Sequence, residues 1–325
     1  MVSLGSIGSK EILIPLLVVA VSAVFMGIYS AGKETMENPY RNKKILDIGL
    51  TMPTLWLYYD TSDVNSRWWA DFGARSTRVI NIPFLNLCYE SIVKANKGKY
   101  KVEVISGLTD LATRLGGWQE MPRGLQNPLA SVGNAELNWI RAEVLARFGG
   151  LWVSSATICL RPFPVIPHEK AVFFGTDPDE SYTGKGGSAV PSMYAMGAGR
   201  PRHPVFENWA QAAFERLDKQ GGGQQIRGDA KWDYVAFAQT SGDVDVFPNL
   251  EVSRRADGKR IQVEDLLMAG QEGSKRFSIA RNALYVPIPW TEIRERRMYG
   301  WFLRMSEDQI LDSDLAITYI FKSVA

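Results

Sequence analysis

Residues 135–164 hold most of the side chains whose type and spacing point to chemistry. They read AELNWIRAEVLARFGGLWVSSATICLRPFP. Leu137, Ile140, Val144, Leu145 and Phe148 recur three and four residues apart, the pattern of a helix with an apolar face. Asn138 and Arg141 stand three apart and share a different face. A guanidinium there can reach an anion, and an amide offers both a donor and an acceptor. Gly149-Gly150 ends the helix and turns the chain into a strand. Ser154, Ser155 and Thr157 lie along that strand and off its end. Ligands of open α/β sheets bind in the crevice at strand ends. Asn138, Arg141 and residues 154–157 are therefore expected to face one site.

Other groups are weaker candidates. Asp177-Pro178-Asp179 is the nearest acidic pair, able to supply a displaced metal ligand or a base that activates a hydroxyl; it is also ordinary turn chemistry. Asp243-Val244-Asp245 alternates along an expected strand, so both carboxylates point to one face, read as a solvated edge. Gly184-Lys185-Gly186-Gly187 fails the spacing of a phosphate loop and is expected to be a mobile loop over the site. Trp56 and Tyr58, in the first strand, can stack on a base or sugar ring. Asp60, at that strand's end, can bond a ribose hydroxyl. His168 and His203 have no metal-ligand spacing and read as structural or surface residues.

The elements that must position these groups follow from periodicity and breakers. Strands are expected at 54–59, 100–105, 151–153, 157–160 and 171–175, and helices at 66–78, 83–95, 109–115, 134–148, 203–217 and 229–239. Ser306-x-x-Gln309 is a capping box opening one terminal helix that docks by an apolar face. Strand–helix alternation at these lengths predicts an α/β fold, a mostly parallel sheet with helices on its faces.

The chain has 325 residues, 37 basic and 35 acidic, with a net charge of +2. No strong field results, and no nucleic-acid signature is present, so nucleic acid is not an expected partner. Cys88 and Cys159 lie in apolar surroundings and read as buried thiols; two cysteines exclude a disulfide scaffold. Residues 12–32 contain no charge and make a helix of about 31 Å, the thickness of a bilayer core. A transmembrane anchor is expected there, with a cleaved signal peptide as the rival. Residues 1–11 form a short tail, 33–52 a polar tether and 53–325 the globular part. Lys33, Arg41, Lys43 and Lys44 follow the apolar segment while only Lys10 precedes it. The positive-inside rule then makes this a single-pass membrane protein with its large domain on the cytoplasmic side.

The passage at 135–164 resembles the capsular-polysaccharide-synthesis type of glycosyltransferase, and the related sugar-transferase family with a DXD motif. The likeness is carried by Arg141, Glu143, Leu145, Phe148, Gly149, Gly150, Trp152, Thr157, Arg161 and Pro162. It extends more loosely from Pro53 to about Trp209, with 54–60 similar to the first nucleotide-binding strand. The resemblance implies a single GT-A-like, Rossmann-like domain that moves a sugar from a nucleotide-diphosphate-sugar donor to a glycan or lipid-linked acceptor. It implies nucleotide-sugar contacts at Trp56, Tyr58, Asp60, Asn138, Arg141, Ser154, Ser155 and Thr157, and a carboxylate role for Asp177 or Asp179. Two positions depart from the family. Its helix aspartate is Asn138 here, and its strand-end aspartate falls on Ser154. In the family that carboxylate is implied to hold Mn²⁺ or Mg²⁺ against the diphosphate, and a serine hydroxyl is a poor replacement; no metal ligand is assigned here. The alternative is a degenerate relative that keeps the fold without turnover, in a structural, scaffolding or glycan-binding role.

Overall fold

The computed structural model describes residues 52–60, 82–177, 190–219, 243–247, 261–270 and 282–324. The chain divides into two compact units, Met1–Met52 and Pro53–Ala325, and every element below belongs to the second. The expected helices at 66–78 and 229–239, the glycine loop at 184–187, Asp179, and the apolar segment at 12–32 lie outside the described residues. Among the described residues no helix is long and apolar enough to cross a membrane.

The main sheet has six strands: β1 (Thr54–Tyr59), β2 (Lys101–Ser106), β3 (Gly150–Val153), β5 (Ala171–Phe174), β8 (Ala195–Ala198) and β9 (Val244–Phe247). Their order is β2-β1-β3-β8-β5-β9. β1 runs parallel to β2 and β3, and β5 runs parallel to β9; β8 alone is reversed, antiparallel to both β3 and β5. The α/β, mostly parallel expectation therefore holds.

Side-chain alternation divides the core in two. Leu55, Leu57 and Tyr59 of β1 face one cluster, while Trp56 and Tyr58 face the other. The first cluster is closed by helix α1 (Pro83–Asn96), by the short helix α5 (Val263–Leu266) and by C-terminal residues, among them Phe302, Ile317 and Phe321. The second is closed by α2 (Gly107–Leu115), α3 (Asn134–Phe148) and α4 (Pro204–Lys219). Helices thus cover both faces of the sheet.

Three expectations are corrected by the packing. The strand expected at 157–160, β4 (Thr157–Cys159), leaves the main sheet and pairs antiparallel with β10 (Tyr285–Pro287). The expected single terminal helix is two, α7 (Glu307–Asp312) and α8 (Ala316–Val324). The break follows from local chemistry: the Ser313 and Thr318 hydroxyls both donate to the Ile310 carbonyl, each at 2.7 Å, and Ser313 is extended. The capping box itself forms, with Gln309 N–H donating to Ser306 Oγ at 3.2 Å and Ser306 N–H to Gln309 Oε1 at 2.9 Å. Third, Asp243 stands before β9 rather than in it. Asp245 lies in this edge strand and pairs with Lys170 at 3.4 Å.

Both cysteines are free and buried. Burial pushes the Cys159 thiol up to about 12 and raises that of Cys88 further. His168 is exposed and His203 buried. Val205 N–H donates to His203 Nδ1 at 3.4 Å, which leaves Nε2–H to donate to the Glu169 carbonyl at 3.3 Å. Burial lowers the His203 pKa, the Glu169 carbonyl opposing it. The folded state therefore binds this proton less well than the unfolded chain does. Stability from this group is intact above the unfolded value of 6.5 and is lost as pH falls through the lower folded value. Thermal midpoints measured downward from pH 7 are expected to fall first below about pH 6.5, and His203→Gln is expected to flatten that part of the profile.

Candidate functional site

The Gly-Gly turn explains how helix α3 is aimed at the sheet. Gly149 has φ 64 and Gly150 φ 89, both left-handed values that suit glycine. Gly149 N–H closes the helix on the Leu145 carbonyl at 3.0 Å. The Trp56 indole N–H donates to the Gly149 carbonyl at 2.9 Å and ties the turn to β1. A Cβ on Gly150 would stand 2.3 Å from the Thr54 carbonyl oxygen. The turn thus fits only against β1, and α3 must run back along the sheet with its first half toward the carboxyl ends of the parallel strands. At its start, Glu136 accepts a hydrogen bond from Gly133 N–H at 3.0 Å.

The residues of interest gather at that edge. β1 ends at Tyr59, followed by Asp60, and β2 ends opposite it at Ser106. Ser154 follows β3, and its N–H donates to the Tyr194 carbonyl at 2.7 Å, just ahead of the reversed strand β8. Arg141 reaches the same place from α3: Nη1 donates to the Met193 carbonyl at 3.0 Å, and Nε to the Leu137 carbonyl at 3.2 Å. Along β3, Leu151 and Val153 belong to the α1-side core and Trp152 to the α3-side core. The same alternation carries Ser154 toward α3.

Asn138 is only 4% and Arg141 8% exposed. α4 packs on α3, with Trp139 against Phe214 at a ring distance of 6.3 Å. The Asn138 amide has no hydrogen-bond partner among the described residues. Its amide atoms are not among the fully buried unpaired ones, so the amide edge reaches solvent at the strand-end crevice, where a ligand hydroxyl can replace water.

The remaining expected residues are placed as follows. Tyr58 is buried on the α3 side of β1. Ser154 and Ser155 are partly exposed. Trp56 is buried, with its ring between Phe148 at 5.3 Å and the Arg114 guanidinium at 5.6 Å. Thr157 turns away into the other core: it is fully buried in β4, its backbone beside the Cys88 thiol. Asp177 belongs to the two-residue strand β6 (Thr176–Asp177), paired with Val190 of β7 (Val190–Pro191). Sequence reasoning missed Met193 and Tyr194, whose carbonyls receive Arg141 and Ser154 respectively. The available signal was Gly197, where a Cβ would stand 2.5 Å from the Gly150 carbonyl and mark a close strand approach.

The divalent cation that the family resemblance implies can be tested against these groups. A hard cation needs several oxygen ligands, usually with a carboxylate. Ser154 and Ser155 bring hydroxyls to the strand end. Among the described residues no group of three or more His, Cys, Asp or Glu stands together to hold a metal. The described donor set does not fit such a cation.

No family model matches the chain, and no curated protein does. Among solved structures, the crystal structure of the glycosyltransferase GlyE in Streptococcus pneumoniae TIGR4 is similar over 84% of this chain, with 10% identity and a TM-score of 0.35. The chain spans 64% of that protein's length, just under two thirds.

Proposed function

We propose that the unit Pro53–Ala325 is a GT-A-like nucleotide-sugar-binding domain, and that the protein transfers a sugar from a nucleoside-diphosphate-sugar to a glycan or lipid-linked acceptor. The observation that carries this reading is the pair Asn138 and Arg141. An amide without a described partner at the strand-end crevice and a guanidinium beside the end of β3 are groups that a sugar hydroxyl and a diphosphate would contact. Tyr58, Asp60, Ser154 and Ser155 complete the proposed contact set, with Trp56 holding the Gly149 turn behind it; Thr157, in the other core, is left out of it. Residues 12–32 are proposed as the membrane anchor, with the large domain on the cytoplasmic side.

In the proposed reaction the bond between the sugar's anomeric carbon and the diphosphate oxygen breaks, and a bond to the acceptor oxygen forms. The acceptor's proton passes to a carboxylate, for which Asp177 or Asp179 is proposed. Arg141 offsets charge on the departing diphosphate, the task of preorganised donors in such sites.

A second reading has its own observation. Ser154 stands where the family resemblance implies a carboxylate, so the chain would bind a glycan or nucleotide sugar without turning it over. The test is nucleotide release from a panel of nucleotide sugars by the full chain, with Mn²⁺ and with EDTA. Release unaffected by EDTA is expected. Binding without release would favour the second reading, and neither binding nor release in a folded sample would sink both. Ser154→Asp is expected to make donor binding respond to added Mn²⁺.

A further inference from the structure

Residues 290–304 fold as helix α6 (Trp290–Glu295) followed by two short 3₁₀ turns, Arg297–Tyr299 and Phe302–Arg304. Their inward side is fixed. Tyr299 and Phe302 are buried three residues apart, and Phe84 of α1 packs on Phe302 at 5.4 Å and on Trp290 at 5.2 Å. Their outward side is unusual. Met298 is 66% and Trp301 44% exposed, again three apart, so in this tight winding both rise on one side.

The charges around these two side chains are lopsided. The stretch carries four arginines and two glutamates, and counting Glu264, which pairs with Arg296, the local net is +1. Arg296 is paired with Glu264 at 2.6 Å and Glu292 at 3.5 Å. Arg294, Arg297 and Arg304 are exposed and form no ion pair among the described residues. Arg294 lies over the Trp290 ring at 5.9 Å, and Arg304 donates to the Gly300 carbonyl at 3.0 Å. Glu295 stands among them, also without an ion pair. An exposed tryptophan and methionine in a stretch with these three exposed arginines, backed by buried Tyr299 and Phe302, match the chemistry of a lipid headgroup layer. Trp prefers that interface, arginine stems lie along apolar surface, and each basic group adds attraction to anionic lipid.

We infer that the outward face of residues 290–304 is a membrane-surface contact fitted to a bilayer containing anionic lipid. It is separate from the apolar segment at 12–32 and from the nucleotide-sugar reading, and it stands without either. It would hold the Pro53–Ala325 unit against the bilayer by a salt-sensitive contact.

The test uses the full chain mixed with phosphatidylcholine vesicles, with and without phosphatidylserine. A fluorophore is attached through M298C, and in a second protein through V165C, at an exposed position outside the patch. The native cysteines are buried and stay unlabelled in the folded protein. Brominated lipid is expected to quench the label at 298 only with phosphatidylserine present, and several-fold more than the label at 165. The quenching is expected to disappear in molar salt and in the combined R294E, R297E and R304E variant. Should that variant fold poorly by its thermal midpoint, Trp301→Ser provides the same loss. Equal quenching at both positions, quenching insensitive to charge reversal, or none at 298 would overturn the inference. So would a concentration-dependent shift of the 298 label without lipid, which would make a second copy the occupant. Flotation with neutral vesicles reports the 12–32 segment independently of the quenching.

Discussion

Asn138→Leu is expected to weaken nucleotide-sugar binding about tenfold, the worth of a hydrogen bond to a buried polar group, while leaving the protein as stable as before or more so. The two effects have one cause. Asn138 is 4% exposed, and its amide has no partner among the described residues. Its amide atoms are not among the fully buried unpaired ones, so water reaches them in the free protein, and leucine fills a similar volume while removing no protein hydrogen bond. A purely structural asparagine would behave in the opposite way, since its loss would leave a broken hydrogen bond and a lower thermal midpoint. Calorimetric titration with the nucleotide sugar, alongside the thermal midpoint, separates the cases. Arg141→Met gives the companion result. Donor binding or nucleotide release is expected to fall about a hundredfold, as for removal of a preorganised charged donor. Stability also falls here, because the guanidinium donates to the Met193 and Leu137 carbonyls. Affinity lost in both variants with stability moving in opposite directions would identify the α3 edge as a ligand site. Unchanged affinity in both would remove it.

The Gly149-Gly150 turn carries the largest expected effect on stability. Gly150→Ala places a methyl 2.3 Å from the Thr54 carbonyl oxygen on a residue with φ 89. The clash is with backbone, in the strand that pairs with both β2 and β3, so it cannot be relieved by a rotamer change. The expected cost is about 3–5 kcal/mol, left-handed strain added to overpacking, or about 10 °C in thermal midpoint for a domain of this size. Gly116→Ala supplies the control. Gly116 caps α2 with φ 99, but nothing lies within 4 Å of the place a Cβ would take there. It is expected to cost only the conformational strain, about 1–2 kcal/mol. Equal losses at the two positions would mean that strain, and not the approach of β3 to β1, is what the second glycine serves.

Much of this fold is legible in the residues because its signals are local. β1 spans Thr54–Tyr59 and α3 spans Asn134–Phe148, the bounds that alternation, helical spacing and the double glycine predict. Helix α2 stops where Gly116 supplies a left-handed cap. The capping box at Ser306 is visible four residues at a time. Each of these depends on neighbours within one or two turns of chain.

Other features depend on partners far away along the chain. β8 is four residues, Ala-Met-Gly-Ala, with no period to read, and it is a strand because β3 and β5 flank it. β4 looks like a continuation of β3, yet its backbone finds β10 more than 120 residues later, and Thr157 is carried into the opposite core from Ser154. Asn138 and Arg141 have the spacing of a shared helix face, but that both are buried is decided by segments packed on α3 from elsewhere in the chain. Local pattern settles which residues stand together on α3 and where the helix must turn. Burial, strand order and the meeting of α3 with residues 193 and 194 come from long-range packing, because apolar surface is removed from water only when distant segments cover it.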